Sequence, residues 1–147
     1  MSLQLLSNPV KHIRTLNLPL MGCRVSAGFP SAADDFIERS LDLNELLVKH
    51  PSSTFFAWAK GNSLKSLGIH DGDLLVIDRA AERTHGRVVV AAIDGELVCK
   101  ILDLRRNCLL SAVDSNGNEA PPVSFEGRED LLIEGVVVYS VRQHVRA

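Results

Sequence analysis

Two residues of this chain have the types and settings that acyl-transfer chemistry needs: a serine on a small polar turn and a lysine alone among apolar neighbours. Ser63 closes Gly61-Asn62-Ser63, which follows the apolar run Thr54-Phe55-Phe56-Ala57-Trp58-Ala59. Aromatic and β-branched residues favour a strand, and glycine lets the backbone turn sharply where it ends, so the serine is presented at a strand end. Its hydroxyl is a weak nucleophile and needs a base from elsewhere in the chain. Lys100 is the candidate, being the only charge in Leu97-Val98-Cys99-Lys100-Ile101-Leu102. In a strand it shares a face with Val98 and Leu102 while Leu97, Cys99 and Ile101 take the other, so both faces are apolar. Such a lysine either snorkels from a sheet edge to water or is desolvated towards its neutral, proton-accepting form. Taken singly, the serine also reads as a plain turn residue and the lysine as an edge residue.

The elements that must position this pair follow from the surrounding pattern. Beyond the strand that leads to Ser63, strands are expected over 74–78, 87–94, 96–104, 108–113 and 131–141, and Asp94-Gly95 is a two-residue hairpin signal. Asp42 followed three residues on by Glu45 is a helix start. Leu43, Leu46 and Leu47 give that short helix an apolar face, and His50-Pro51-Ser52-Ser53 ends it. Asn116-Gly117-Asn118 and Pro121-Pro122 mark turns. The expectation is a mostly β, antiparallel domain over residues 40–147. Residues 1–39, with Pro9, Pro19, Gly22, Gly28 and Pro30, show no sustained helical or strand period and read as an extended, flexible arm.

Composition excludes several classes. A chain of 147 residues supports one compact domain plus a short arm. A net charge of −2 offers no general attraction to phosphate backbones, so direct DNA binding is not expected. Cys23, Cys99 and Cys108 lack metal-ligand spacing, and Cys99 sits where a small apolar residue would, which fits a reducing cytoplasm. No stretch approaches the length of a membrane-spanning helix. Leu20-Met21-Gly22-Cys23 looks like a lipoprotein cleavage box, but Lys11, His12, Arg14, Thr15 and Asn17 interrupt the apolar core that an export signal requires. His70-Asp71-Gly72-Asp73 reads as a turn before a strand rather than part of a Ser-His-Asp triad. With His85 it has no recognised metal-ligand spacing, and neither metal nor cofactor is expected. Lys65, two residues from Ser63, reads as a solvated loop charge, Asp78 and Arg79 as a strand end, and His12, His50 and His144 as surface residues.

Four blocks add a resemblance to these readings: Ala59-Lys60-Gly61-Asn62-Ser63-Leu64, the Gly-Asp run from Gly68 to Asp78, Gly86-Arg87-Val88-Val89-Val90-Ala91, and Asp94-Gly95-Glu96 ahead of Lys100. In this order and spacing they resemble the Ser-Lys self-cleaving proteins of the SOS response, the LexA/UmuD peptidase family, over about residues 27–141 and on the polymerase-accessory side of that family. The resemblance implies a β domain of the LexA/UmuD/signal-peptidase type. It also implies that Lys100 takes the proton of Ser63, and that Ser63 attacks the carbonyl of Ala27 and cuts the Ala27-Gly28 bond. Small residues there let the backbone come close to a nucleophile, whereas without the resemblance Ala-Gly is only a flexible hinge. A RecA filament on single-stranded DNA is implied as co-protease, and a homodimer serving a UmuC-type Y-family DNA polymerase in translesion synthesis as the processed form. Leu64 departs from the family's methionine after the serine, a swap that conserves apolar volume. A LexA-like transcriptional regulator is the first alternative, and it needs a DNA-binding domain for which the residues before Ala27 leave no room. The second is a non-catalytic polymerase-binding module, against which the presence of both Ser63 and Lys100 counts.

Overall fold

The computed structural model describes residues 15–22, 24–26, 28, 37–112, 116, 118, 120–127 and 131–145. Its chain divides into two compact units between Lys49 and His50. In the first unit, β1 (Leu18–Met21) pairs antiparallel with β2 (Ile37–Leu41), from Leu18 opposite Leu41 to Met21 opposite Ile37. This ladder lies in the stretch for which no strand period was expected, and the expected boundary near residue 39 falls inside β2. Leu18, Pro19, Leu20 and Met21 carry no polar alternation, and Leu18 and Met21 stay exposed, so nothing in the local pattern announces a strand. Helix α1 (Leu43–Leu47) starts where its cap signal places it: Asp42 is the N-cap, and its carboxylate accepts the N–H of Asn44 at 3.1 Å.

The second unit is one antiparallel sheet of β3 (Thr54–Trp58), β4 (Leu74–Asp78), β5 (Val88–Ile93), β6 (Glu96–Asp103), β7 (Cys108–Leu110), β8 (Val123–Ser124) and β9 (Leu132–Val141). Their spatial order is β3-β4-β9-β5-β6-β7-β8. The mostly β, antiparallel expectation is met, with β7 ending earlier than expected and the short β8 added. The β5–β6 turn is the hairpin that Asp94-Gly95 signals: both residues have positive φ, 51° and 80°, and Ile93 faces Glu96 across it.

The middle strands β4 and β5 are buried on both faces, which is why they read as nearly continuous apolar runs. One face gathers Ala57, Leu75, Ile77, Val90 and Cys99 with Ala59, Leu64 and Ile69, and a second cluster holds Val89, Ala91, Leu102, Leu109 and Val136. Leu75, Val76 and Ile77 of β4 have no exposed surface at all. The strands also pass unusually close at Gly135 of β9, where a Cβ would stand 2.8 Å from Ile77 Cγ2 and 3.2 Å from the Asp78 carbonyl oxygen. Only glycine allows that approach.

Candidate functional site

Ser63 lies on the connection between β3 and β4, and polar contacts fix both ends of that connection. At its neck the ladder runs on past the strands, with Ala59 N–H donating to the Asp73 carbonyl and Gly72 N–H to the Ala59 carbonyl, both at 2.8 Å. One step further along, Asp71 accepts the N–H of Gly61 at 2.6 Å while its own N–H donates to the Asn62 side chain at 3.3 Å. Gly61 has φ +92°, so the expected sharp turn after the strand requires this glycine. After Ser63 the chain makes one 3-10 turn, Lys65–Leu67, closed by Gly68 in the left-handed region. Leu64 and Ile69 drive the loop into the core, with 4% and 8% of their surface exposed, and the Ile69 N–H returns to the Leu64 carbonyl. Leu64 thus fills an apolar anchor position, as expected for a residue standing in for methionine.

The far side of the loop is tied to the end of the sheet. Asp73 is 1% exposed, accepts the His70 N–H at 2.8 Å and receives two bonds from Arg142, which also donates to the Gly68 carbonyl. The Arg142 guanidinium holds the Asp73 carboxyl below the usual carboxylate range. Asp71 and Asp73 therefore brace the turn, in keeping with the turn reading of His70-Asp71-Gly72-Asp73. Arg142 gave no signal in the sequence, since its partner is 69 positions away.

Lys100 comes from the middle of β6, where it is paired with Val89 of β5. Its half-buried side chain and the exposed Ser63 line one pocket with Ala59, Lys60, Gly61, Leu64, Ile69, Val98 and Cys99. The cavity is about 100 Å³ and opens to solvent. The serine turn and the lysine strand are thus brought together. The Lys100 amine donates to Ser111 Oγ at 2.6 Å, and among the described residues no hydrogen bond joins it to Ser63. Burial pushes the neighbouring Cys99 thiol up to about 12, so it stays protonated at neutral pH and is no rival nucleophile. Ser111 was missed by the sequence reading. Its signal is a register: β6 and β7 pair Ile101 with Leu110, and one further step sets Ser111 opposite Lys100.

Of the other residues weighed for chemistry, Lys65 is exposed as expected. His50 is exposed, as expected, and it also places Nδ1 2.6 Å from Asp78 Oδ2, which is buried at the end of β4. Burial pushes the Asp78 carboxyl up, but the contacts from His50 and the Ala80 N–H outweigh it and hold the group below its ordinary value. At the expected cleavage site, Ala27 lies outside the described residues, and Gly28 is exposed with open space around it.

A serine-bearing turn and a strand lysine thus line one small pocket at one side of an antiparallel sheet. The chain matches the Peptidase S24-like family over residues 19–138 and belongs to it. That family comprises self-cleaving serine peptidases of the LexA and UmuD kind. The chain is 41% identical to protein ImpA of Salmonella typhimurium over 125 residues, 85% of this chain and 83% of that one. It is 40% identical to protein MucA of Escherichia coli over 134 residues, 89% of this chain and 88% of that one. These relatives are UmuD-like SOS mutagenesis proteins, and this chain is a UmuD-like SOS protein. The LexA repressor of Shewanella baltica is more distant, at 30% over 138 residues, 93% of this chain and 65% of the repressor. Among the described residues, no helix is long and apolar enough to cross a membrane.

Proposed function

We propose that Ser63 is the nucleophile and Lys100 its general base in self-cleavage of the Ala27-Gly28 bond. The neutral amine takes the Ser63 hydroxyl proton as Oγ bonds to the Ala27 carbonyl carbon, and the carbonyl electron pair moves onto its oxygen. Collapse of that tetrahedral centre breaks the bond to the Gly28 nitrogen, which leaves with the proton held by Lys100. Water then hydrolyses the Ser63 ester to free the Ala27 carboxylate. The N–H groups of Gly61 and Lys65 are engaged within the turn, by Asp71 and by the Asn62 carbonyl. Ser63's own N–H is engaged by no hydrogen bond among the described residues, and it would hold the oxyanion. The observation that carries this reading is the shared pocket, lined by both Ser63 and Lys100.

The wider reading follows the UmuD-like relatives. Cleavage occurs in the cytoplasm and is stimulated by a RecA filament on single-stranded DNA, which favours the conformer with the cut segment in the pocket. The product from Gly28 onward forms a homodimer and serves a UmuC-type Y-family polymerase. Purified chain incubated alone and with RecA filaments, followed by intact mass spectrometry, tests this. Fragments ending at Ala27 and beginning at Gly28, produced faster with the filament, are expected. In Gly28→Glu a bulky carboxylate replaces the bare backbone beside the nucleophile, and cutting should stop. A cut at another bond, or a Gly28→Glu chain cut efficiently, would overturn the assignment.

A further inference from the structure

We infer that Ser111 is a positioning residue for the Lys100 amine, an inference that rests on the roles proposed above for Ser63 and Lys100. A strand fixes the Cα of a lysine, but the flexible four-carbon stem leaves the direction of its amine open. Here that direction is set by the bond from Lys100 Nζ to Ser111 Oγ, whose 2.6 Å length is at the short end for a nitrogen donor. Both partners stand on one framework, because Ser111 directly follows β7 and takes the place opposite Lys100 that the Ile101–Leu110 pair dictates. Ser111 is absent from the residues that line the pocket, whereas Lys100 and Ser63 both line it. The second hydroxyl therefore holds the amine from outside the pocket lining.

This arrangement has a geometric consequence for a neutral amine. With the bond to Cε and one N–H directed at Ser111 both fixed, the lone pair is confined to the two remaining tetrahedral positions instead of sweeping a full circle. One of those positions can then be held towards the pocket where Ser63 must deliver its proton. Once that proton has arrived, the ammonium keeps Ser111 Oγ as an acceptor, so the charge formed in the step stays hydrogen-bonded in a half-buried site.

The test compares Ser111→Ala, Ser111→Thr and Ser111→Val in the full chain. Two rates are read: self-cleavage with RecA filaments, and diisopropylphosphorylation of Ser63 Oγ by diisopropyl fluorophosphate with loss of fluoride, which reports activation of the serine without requiring the cut segment to dock. Thermal midpoints monitor the fold. Threonine and valine have nearly the same shape and differ in the hydroxyl, so a purely packing role would leave them equivalent even if the alanine variant folded poorly. Both rates should fall about tenfold in Ser111→Ala and Ser111→Val, the cost of a misdirected base, and return to near the parent rate in Ser111→Thr. Parent rates in Ser111→Val, or a Ser111→Thr chain as slow as the valine variant, would overturn the inference. Ser63→Ala and Lys100→Ala run alongside: if they cleave normally, the failure lies with the proposed pair and not with Ser111 alone.

Discussion

The serine and the lysine reach their common pocket by opposite kinds of construction. Ser63 sits on an exposed turn held by discrete polar clamps, Asp71 to Gly61 and Asp73 to Arg142, plus two apolar anchors, Leu64 and Ile69. Lys100 sits inside a ladder, with β5 on one side and β7 on the other, so the whole sheet locates its backbone. A clamp can be released one bond at a time, whereas a central strand moves only when the sheet does. The serine turn is therefore where mutation should change cleavage with little loss of fold. In the sheet that carries Lys100, a change that disturbs the packing of the strands should cost stability first.

The largest stability effect is expected on the sheet. Gly135→Ala forces a Cβ against Ile77 Cγ2 and the Asp78 carbonyl, and should destabilise the chain by about 3 kcal/mol, measured by denaturant unfolding. Its cleavage rate should fall only in proportion to the folded fraction; a rate lost in the fully folded variant would blur the distinction between the two constructions.

Next comes the deeper clamp. Asp73→Asn removes a buried carboxylate from the Arg142 and His70 bonds, at a cost of about 2 kcal/mol at neutral pH. Since the Asp73 carboxyl is held below its ordinary value, its contribution is full above about pH 4 and is lost as pH falls through the lowered folded value. Thermal midpoints of parent and variant should converge on acidification, and a gap that persisted at the acid limit would remove the ion pair as its cause.

The smallest stability effect and the most selective loss of cleavage should come from Asp71→Ala. The exposed bonds at Gly61 and Asn62 stabilise by about 1 kcal/mol, yet releasing the turn should slow cleavage more than tenfold through misplacement of Ser63. Equal fractional losses in Asp71→Ala and Gly135→Ala would break the comparison.

What the sequence revealed of this arrangement follows the same division. The strand to Ser63, the sharp turn at Gly61, the Asp94-Gly95 hairpin and the apolar setting of Lys100 are local patterns, each readable within a few residues. The partners that aim or brace the site are not local. Ser111 is found only by continuing the β6–β7 register, Arg142 only from the place of β9 in the sheet, and the His50–Asp78 pair only by bringing together positions 28 apart. The β1–β2 ladder escaped for a different reason, because its exposed residues show no alternation that burial would impose.

The most direct test of the central claim, that Ser63 is activated by Lys100, is the cleavage time course of Ser63→Ala and Lys100→Ala beside the parent chain, with RecA filaments and intact mass detection. Each variant should keep the parent's thermal midpoint within a few degrees, and neither should yield fragments at more than about a hundredth of the parent rate, the share that general-base and nucleophilic catalysis typically supply. Fragments divided at Ala27-Gly28 at the parent rate in either variant would contradict it.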